Sequence, residues 1–195
     1  SPQLSDSLVN DIFIDSIERV WIGTNNGLNV FEKDGNIYTN KDYYNEGFDL
    51  DYLGSNIIKV IYEDDDNVIW IGTNGGGLSR YNENDTFTTY TALDGLPSNV
   101  ILGIVSDGNG NLWIGTQNGV AKFDPETEVF TNFSLDDGIG GLDISSNMFI
   151  DNEYIYFGGI HGITRVNENY NPSGEADNNI FIVNVKVLDQ YLDSD

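Results

Sequence analysis

Apolar residues in this chain come in short bursts, many alternating with polar ones, and clusters of Gly, Asn, Asp and Pro separate them. Such patterning predicts short β-strands joined by tight turns, and no window carries the 3.6-residue apolar stripe of a helix. The clearest instance begins at Val100-Ile101-Leu102-Gly103-Ile104-Val105, an apolar run suited to a strand buried on both faces. Asp107-Gly108-Asn109-Gly110 turns the chain into a second strand over 112–116, Gln117-Asn118-Gly119 into a third over 120–124, and Pro125-Glu126-Thr127-Glu128 into a fourth over 129–133. The same order is predicted at 57–62, 68–73, 77–81 and 86–90, and again at 9–14, 19–24, 28–32 and 36–39.

The units are repeats. Trp-Ile-Gly-Thr occupies 21–24, 70–73 and 113–116, and Tyr156-Phe157-Gly158-Gly159 fills the fourth equivalent place, so that successive aromatics stand 49, 43 and 43 residues apart. A second marker, Ser7-Leu8-Val9, Ser55-Asn56-Ile57, Ser98-Asn99-Val100 and Ser146-Asn147-Met148, precedes the aromatic by 14, 15, 15 and 10 residues, which makes the fourth hairpin the short one. A period in the forties with an aromatic at a fixed place marks β-propeller blades, small sheets that bury their faces only against neighbours. The expected fold is all-β with essentially no helix: about four four-stranded antiparallel blades, an incomplete propeller. Blade one with a long insertion takes 1–54, blade two 55–97, blade three 98–145, and an incomplete blade four with a linker 146–179. The β-branched run that opens 180–195 is read as the first strand of a following β-sandwich domain. The Trp side chains are expected to pack between blades, and Gly23, Gly72, Gly115 and Gly158 to admit a neighbouring blade's aromatic or backbone.

These markers, with an Asp-bearing turn, an Asn-Gly-Leu turn and the closing Asp94-Gly95-Leu96-Pro97-Ser98, resemble the two-component regulator propeller repeat over roughly residues 7–166. The stretch 156–166 followed by 180–188 is similar to the passage from the last blade of such sensors into the Y_Y_Y domain. The resemblance implies a fragment of an extracytoplasmic sensor, in the bacterial periplasm, whose histidine kinase or diguanylate cyclase output and membrane anchor lie outside this chain. It implies a neutral glycan or small-molecule input and no catalysis by the propeller itself. Such propellers usually have seven blades; an arc of four exposes its end faces, so self-association through the end blades is expected.

Charge narrows the partners. The net charge of −24, with only eight Lys plus Arg, repels nucleic acid and anionic lipid. No cysteine is present, so there is no disulfide frame or thiolate metal site. Asp107-Gly108-Asn109-Gly110-Asn111 begins like a calcium loop but carries Leu112 and Asn118 where that loop needs Gly and Glu, and it reads as a hairpin turn. Asp64-Asp65-Asp66 reads as a solvated turn in the same place. Gly75-Gly76-Gly77 lacks the Lys-Ser/Thr of a phosphate loop. No catalytic constellation, metal site or cofactor is indicated.

The candidate ligand-binding residues are Asn25, Asn26, Asn74, Gln117, Asn118 and His161, in turns after the second strands that should share one face of the ring with the connections between blades. Tyr43 and Tyr44, with Phe48 and Tyr52, are candidate platforms in the insertion after blade one. Two other functions remain open. Similar repeats occur in lyases of the streptogramin type, where His161 would have to act at the ring centre, and a purely structural or dimerising arc would hold no ligand of its own.

Overall fold

The computed structural model describes residues 4–35, 37–43, 53–82, 84–133, 144–151, 153–159, 162–169 and 180–183. Among them every regular element is a strand, and the strands form four separate antiparallel sheets of four. Blade one is β1 (Val9–Ile14), β2 (Val20–Thr24), β3 (Gly27–Asp34) and β4 (Ile37–Tyr43). Blade two is β5 (Ile58–Glu63), β6 (Ile69–Thr73), β7 (Leu78–Tyr81) and β8 (Phe87–Tyr90). Blade three is β9 (Ile101–Ser106), β10 (Leu112–Thr116), β11 (Gly119–Asp124) and β12 (Val129–Phe133). Blade four is β13 (Ile144–Asp151), β14 (Tyr154–Gly159), β15 (Gly162–Asn167) and β16 (Ile180–Val183). Each sheet is a meander in chain order, and β1, β5, β9 and β13 lie side by side as the inner strands.

Two assignments differ from the sequence reading. Ile180–Val183 pairs antiparallel with β15, Ile163 opposite Val183 and Val166 opposite Ile180, and so forms the outer strand of the fourth sheet, which the sequence reading left incomplete. A strand finds its partner by hydrogen bonding across the intervening linker, which a local pattern does not report. At the other end β4 runs on to Tyr43, opposite Leu28, so the insertion after blade one starts later than position 39 suggested.

The marker that opens each blade is also displaced in blade one. Oγ of Ser55 accepts the Ile57 amide and Oγ of Ser98 accepts the Val100 amide, while in blade one Oδ1 of Asp6 accepts the Leu8 amide. Asp6, not Ser7, is thus the equivalent residue, because Asp and Ser side chains close the same local turn.

The first hairpin of blades one to three has one geometry. The amides of Asp15, Asp64 and Asp107 donate to the carbonyls of Arg19, Val68 and Asn111. Glu18, Asn67 and Gly110 occupy the left-handed position, with φ of 67°, 63° and 81°.

The core lies between the blades, as three apolar seams. Trp21, Leu28 and Val30 of blade one pack on Ile58, Ile61, Ile69 and Ile71 of blade two. Trp70, Leu78 and Tyr90 pack on Ile101, Ile104, Leu112, Ile114 and Phe123 of blade three. Trp113, Val120 and Phe133 pack on Ile155, Phe157 and Val166 of blade four. Gly23 and Gly72 belong to two of these seams, but the neighbour they admit is aliphatic rather than aromatic or backbone. A Cβ on Gly23 would stand 2.6 Å from Cγ2 of Ile58, and one on Gly72 2.6 Å from Cγ2 of Ile101.

Candidate functional site

The turn after the second strand is built the same way in blades one to three. Buried Thr24, Thr73 and Thr116 donate through Oγ1 to the carbonyls of Gly27, Gly77 and Gly119 at 2.8, 2.9 and 2.9 Å. Each hydroxyl also accepts an amide of the turn, from Asn26, Gly76 and Asn118 respectively. The turn in blade two is one residue longer, and Gly76 presses so closely on Gly54 that a Cβ would meet its backbone at 2.1 Å. Packing therefore explains this glycine of the Gly75-Gly76-Gly77 run.

These turns are tied to the opening of the next blade. The Gly27 amide donates to the Asn56 carbonyl at 2.7 Å, and the Gly75 and Gly77 amides to the Asn99 carbonyl at 3.0 and 2.9 Å. The turns and the connections between blades therefore lie at one end of the arc, in a continuous row. An open depression of ≈ 510 Å³ lined by Leu4, Ser5, Asp6 and Ser7 adjoins blade one there, where Oγ of Ser5 and Oγ1 of Thr24 are 3.0 Å apart.

The structure separates the candidate side chains into two kinds. Asn25 accepts from Nδ2 of Asn10 at 2.8 Å, and Asn118 donates through Nδ2 to the Pro97 carbonyl at 3.3 Å, so both support the row. Asn26, Asn74 and Gln117 are exposed, and their side chains make no hydrogen bond among the described residues. His161, Tyr44, Phe48 and Tyr52 lie outside those residues. Tyr43 sits in the outer seam between blades one and two. Its hydroxyl donates to Oδ1 of Asp85 at 3.0 Å, which also accepts from Tyr81 at 2.6 Å, and its ring meets Tyr81 and Phe87 edge-on. Burial, the Tyr81 hydroxyl and the Asp85 charge hold the Tyr43 phenol well above its ordinary value.

At the opposite end of each sheet, one carboxylate was read from the sequence only as part of a turn. Trp21, Trp70 and Trp113 donate through Nε1 to Oδ2 of Asp15, Asp64 and Asp107 at 2.8, 2.7 and 3.1 Å. Asp15 also pairs with Arg19, and Asp107 with Lys122 at 3.0 Å. Both cations lie over the indole of their own blade. Asp64 is therefore a structural acceptor rather than a solvated turn residue. The signal was present as an Asp six residues before every Trp. In blade four the shorter hairpin, with Asp151 opposite Tyr154, brings no Asp to that spacing.

Burial alone would raise the carboxyls of Asp15 and Asp107; hydrogen bonds from the indoles, the turn amides and the paired cations outweigh it and leave both below their ordinary value. Asp11 is the opposite case. Burial raises its carboxyl, and the amides of Ile61 and Ile12 offset this only in part. Among the described residues no group of three or more His, Asp or Glu side chains is placed to hold a metal ion.

Residues 52–75 and 95–118 match the two-component regulator propeller family. Each match runs from the opening of a blade through its second strand into the turn that carries Asn74 or Gln117. Two stretches of the chain, in blades two and three, thus resemble two-component regulator propeller repeats. Its fold superposes on the extracellular domain of a protein described as a hybrid two-component system from B. thetaiotaomicron, with a TM-score of 0.68 and 24% identity over 92% of this chain and 25% of that one. It also superposes on virginiamycin B lyase from Staphylococcus aureus, TM-score 0.63 and 13% identity over 85% and 54%. A third is PorZ, a surface component of the type-IX secretion system of Porphyromonas gingivalis, TM-score 0.59 and 22% identity over 88% and 27%. At these identities the likeness is one of fold. The chain spans about a quarter of the first and third structures and about half of the lyase. No curated protein matches it.

Proposed function

We propose that these regulator propeller repeats are part of the extracytoplasmic, periplasmic sensing portion of a membrane-bound signalling protein, and that the row of turns recognises a neutral, hydroxyl-rich ligand such as a glycan fragment. The kinase or cyclase output belongs to other parts of the protein, and the propeller is a binding module without catalysis of its own. The observation that carries this reading is the display of Asn26, Asn74 and Gln117, uncommitted and solvent-facing, on turns whose backbones are locked by Thr24, Thr73 and Thr116 and, in blades one and two, by the next blade. An amide both donates and accepts, as a sugar hydroxyl does, and a rigid frame limits the ordering entropy lost on binding. The net charge of −24 disfavours anionic ligands at the same surface.

Calorimetric titration of the protein with a panel of neutral oligosaccharides tests the reading. The triple variant Asn26→Ala, Asn74→Ala, Gln117→Ala is expected to bind at least about tenfold more weakly, since each lost hydrogen bond removes about 1 kcal/mol. Unchanged affinity in that variant, or no binding to any of the panel by the parent protein, overturns the site.

A further inference from the structure

The row of turns carries apolar side chains beside its amides. In blade two the Asn74 amide donates to the Ile57 carbonyl at 2.8 Å, one step beyond the pair Ile58 and Thr73, so Ile57 and Asn74 stand opposite each other. In blade three the Gln117 amide donates to the Val100 carbonyl at 3.1 Å, one step beyond Ile101 and Thr116. Side chains opposed in an antiparallel pair leave the same face of the sheet. The two pairs are joined across the seam, because Asn74 also bridges Val100 and the Gly75 and Gly77 amides hold the Asn99 carbonyl. Ile57, Asn74, Val100 and Gln117 therefore alternate, aliphatic and amide, along one hydrogen-bonded stretch of backbone.

Burial separates these aliphatics from the core. Ile58 and Ile101, the next residues in the chain, are fully buried, whereas Ile57 and Val100 are half-buried and join none of the three apolar seams. Blades two and three each have a neighbouring blade on both sides within this chain, so the exposure of Ile57 and Val100 belongs to the row of turns and not to an uncovered end of the arc. An aliphatic side chain left in water beside an uncommitted amide suits a ligand with both apolar and hydroxyl parts. The stretch offers no aromatic ring to lie flat on a pyranose. The convex methyl groups of Ile57 and Val100 instead make their best dispersion contact with another methyl group.

Resting on the ligand site proposed above, we infer that the neutral sugar taken there carries a methyl group, as a 6-deoxyhexose or an N-acetylhexosamine does. Ile57 and Val100 select for that methyl while Asn74 and Gln117 hold the neighbouring hydroxyls.

Calorimetric titration with two matched pairs of neutral oligosaccharides tests this. One pair ends in a 6-deoxyhexose or in its parent hexose, the other in an N-acetylhexosamine or in the hexose without the acetamido group. The parent protein binds the methyl-bearing member of one pair at least about fourfold more tightly, the worth of taking one methyl-sized group out of water, and that pair identifies the source of the methyl. In the double variant Ile57→Thr, Val100→Thr, which keeps both positions β-branched, the ratio falls towards one, and circular dichroism verifies that the strands are retained. A parent ratio near one in both pairs, with binding still weakened in the triple variant Asn26→Ala, Asn74→Ala, Gln117→Ala, overturns the methyl preference and leaves the ligand site standing. A ratio that survives in the threonine variant overturns the role of Ile57 and Val100. Absence of binding to every member overturns the preference together with the site.

Discussion

The indole N–H of Trp113 donates to a carboxylate oxygen of Asp107 across 3.1 Å, between two side chains shut away from solvent. An indole packed between blades must find an acceptor for its one donor. The Asp that closes the adjacent turn supplies it, so a single carboxylate links turn geometry to seam packing. The same pair recurs as Trp21 with Asp15 and Trp70 with Asp64.

Asp107→Ala is expected to destabilise the protein by about 3 kcal/mol, because it leaves a buried donor unpaired and Lys122 without its counter-charge. Asp107→Asn keeps an accepting oxygen and costs less. Urea unfolding, read as a lower midpoint at unchanged slope, checks both.

Acid acts through the same residues. The carboxyls of Asp15 and Asp107 are lowered in the folded protein, so their stabilisation is complete above the unfolded carboxylate range near about pH 4 and is lost as pH falls through the lower folded values. Asp11, whose carboxyl is raised, works in the opposite sense and contributes more as pH falls from neutral towards about 4. Unfolding midpoints against pH are expected to drop steeply in strong acid. Asp107→Asn flattens that drop, and Asp11→Asn flattens the shallow rise that precedes it.

Gly72→Ala places a methyl group 2.5 Å from Cγ1 of Val60 and 2.6 Å from Cγ2 of Ile101, inside the seam between blades two and three. Overpacking of this kind costs about 1–3 kcal/mol. Ile101→Val, which shortens the opposing side chain, is expected to recover part of the loss in a double-mutant cycle, and strict additivity would argue against direct contact.

Glu18 holds a φ of 67° that Gly110 adopts without penalty in blade three. Glu18→Gly relieves about 1–2 kcal/mol of left-handed strain against about 0.5–1 kcal/mol of added chain entropy. The net effect is a rise in Tm of about 2 °C, measurable by calorimetry.

The blade pattern was legible because every blade solves the same local problem with the same residues. Trp at a fixed place, Gly two positions later and Thr after it recur since the indole must cross the seam, an isoleucine must enter beside the glycine, and the hydroxyl must close the turn. The Asp six residues before each Trp carried equal information in the sequence but was read only as part of a turn, a solvated one at Asp64. Its partner lies across a hairpin, and composition alone gives no reason to join the two.

The strand order of blades one to three, the recurrence of the blade, the placing of the tryptophans between blades and the end on which the turns gather follow from the sequence alone, because periodic burial is written into periodic residue choice. Only the tertiary structure decided that Asn25 and Asn118 are spent on Asn10 and Pro97 while Asn26, Asn74 and Gln117 stay uncommitted. It also placed Tyr43 in the outer seam with Asp85 and Ile180–Val183 at the edge of blade four. The physical reason is range. Hydrophobic periodicity is local to one blade, but the partner of an amide, a phenol or an edge strand is chosen by whatever chain folds back against it from a distant part of the sequence.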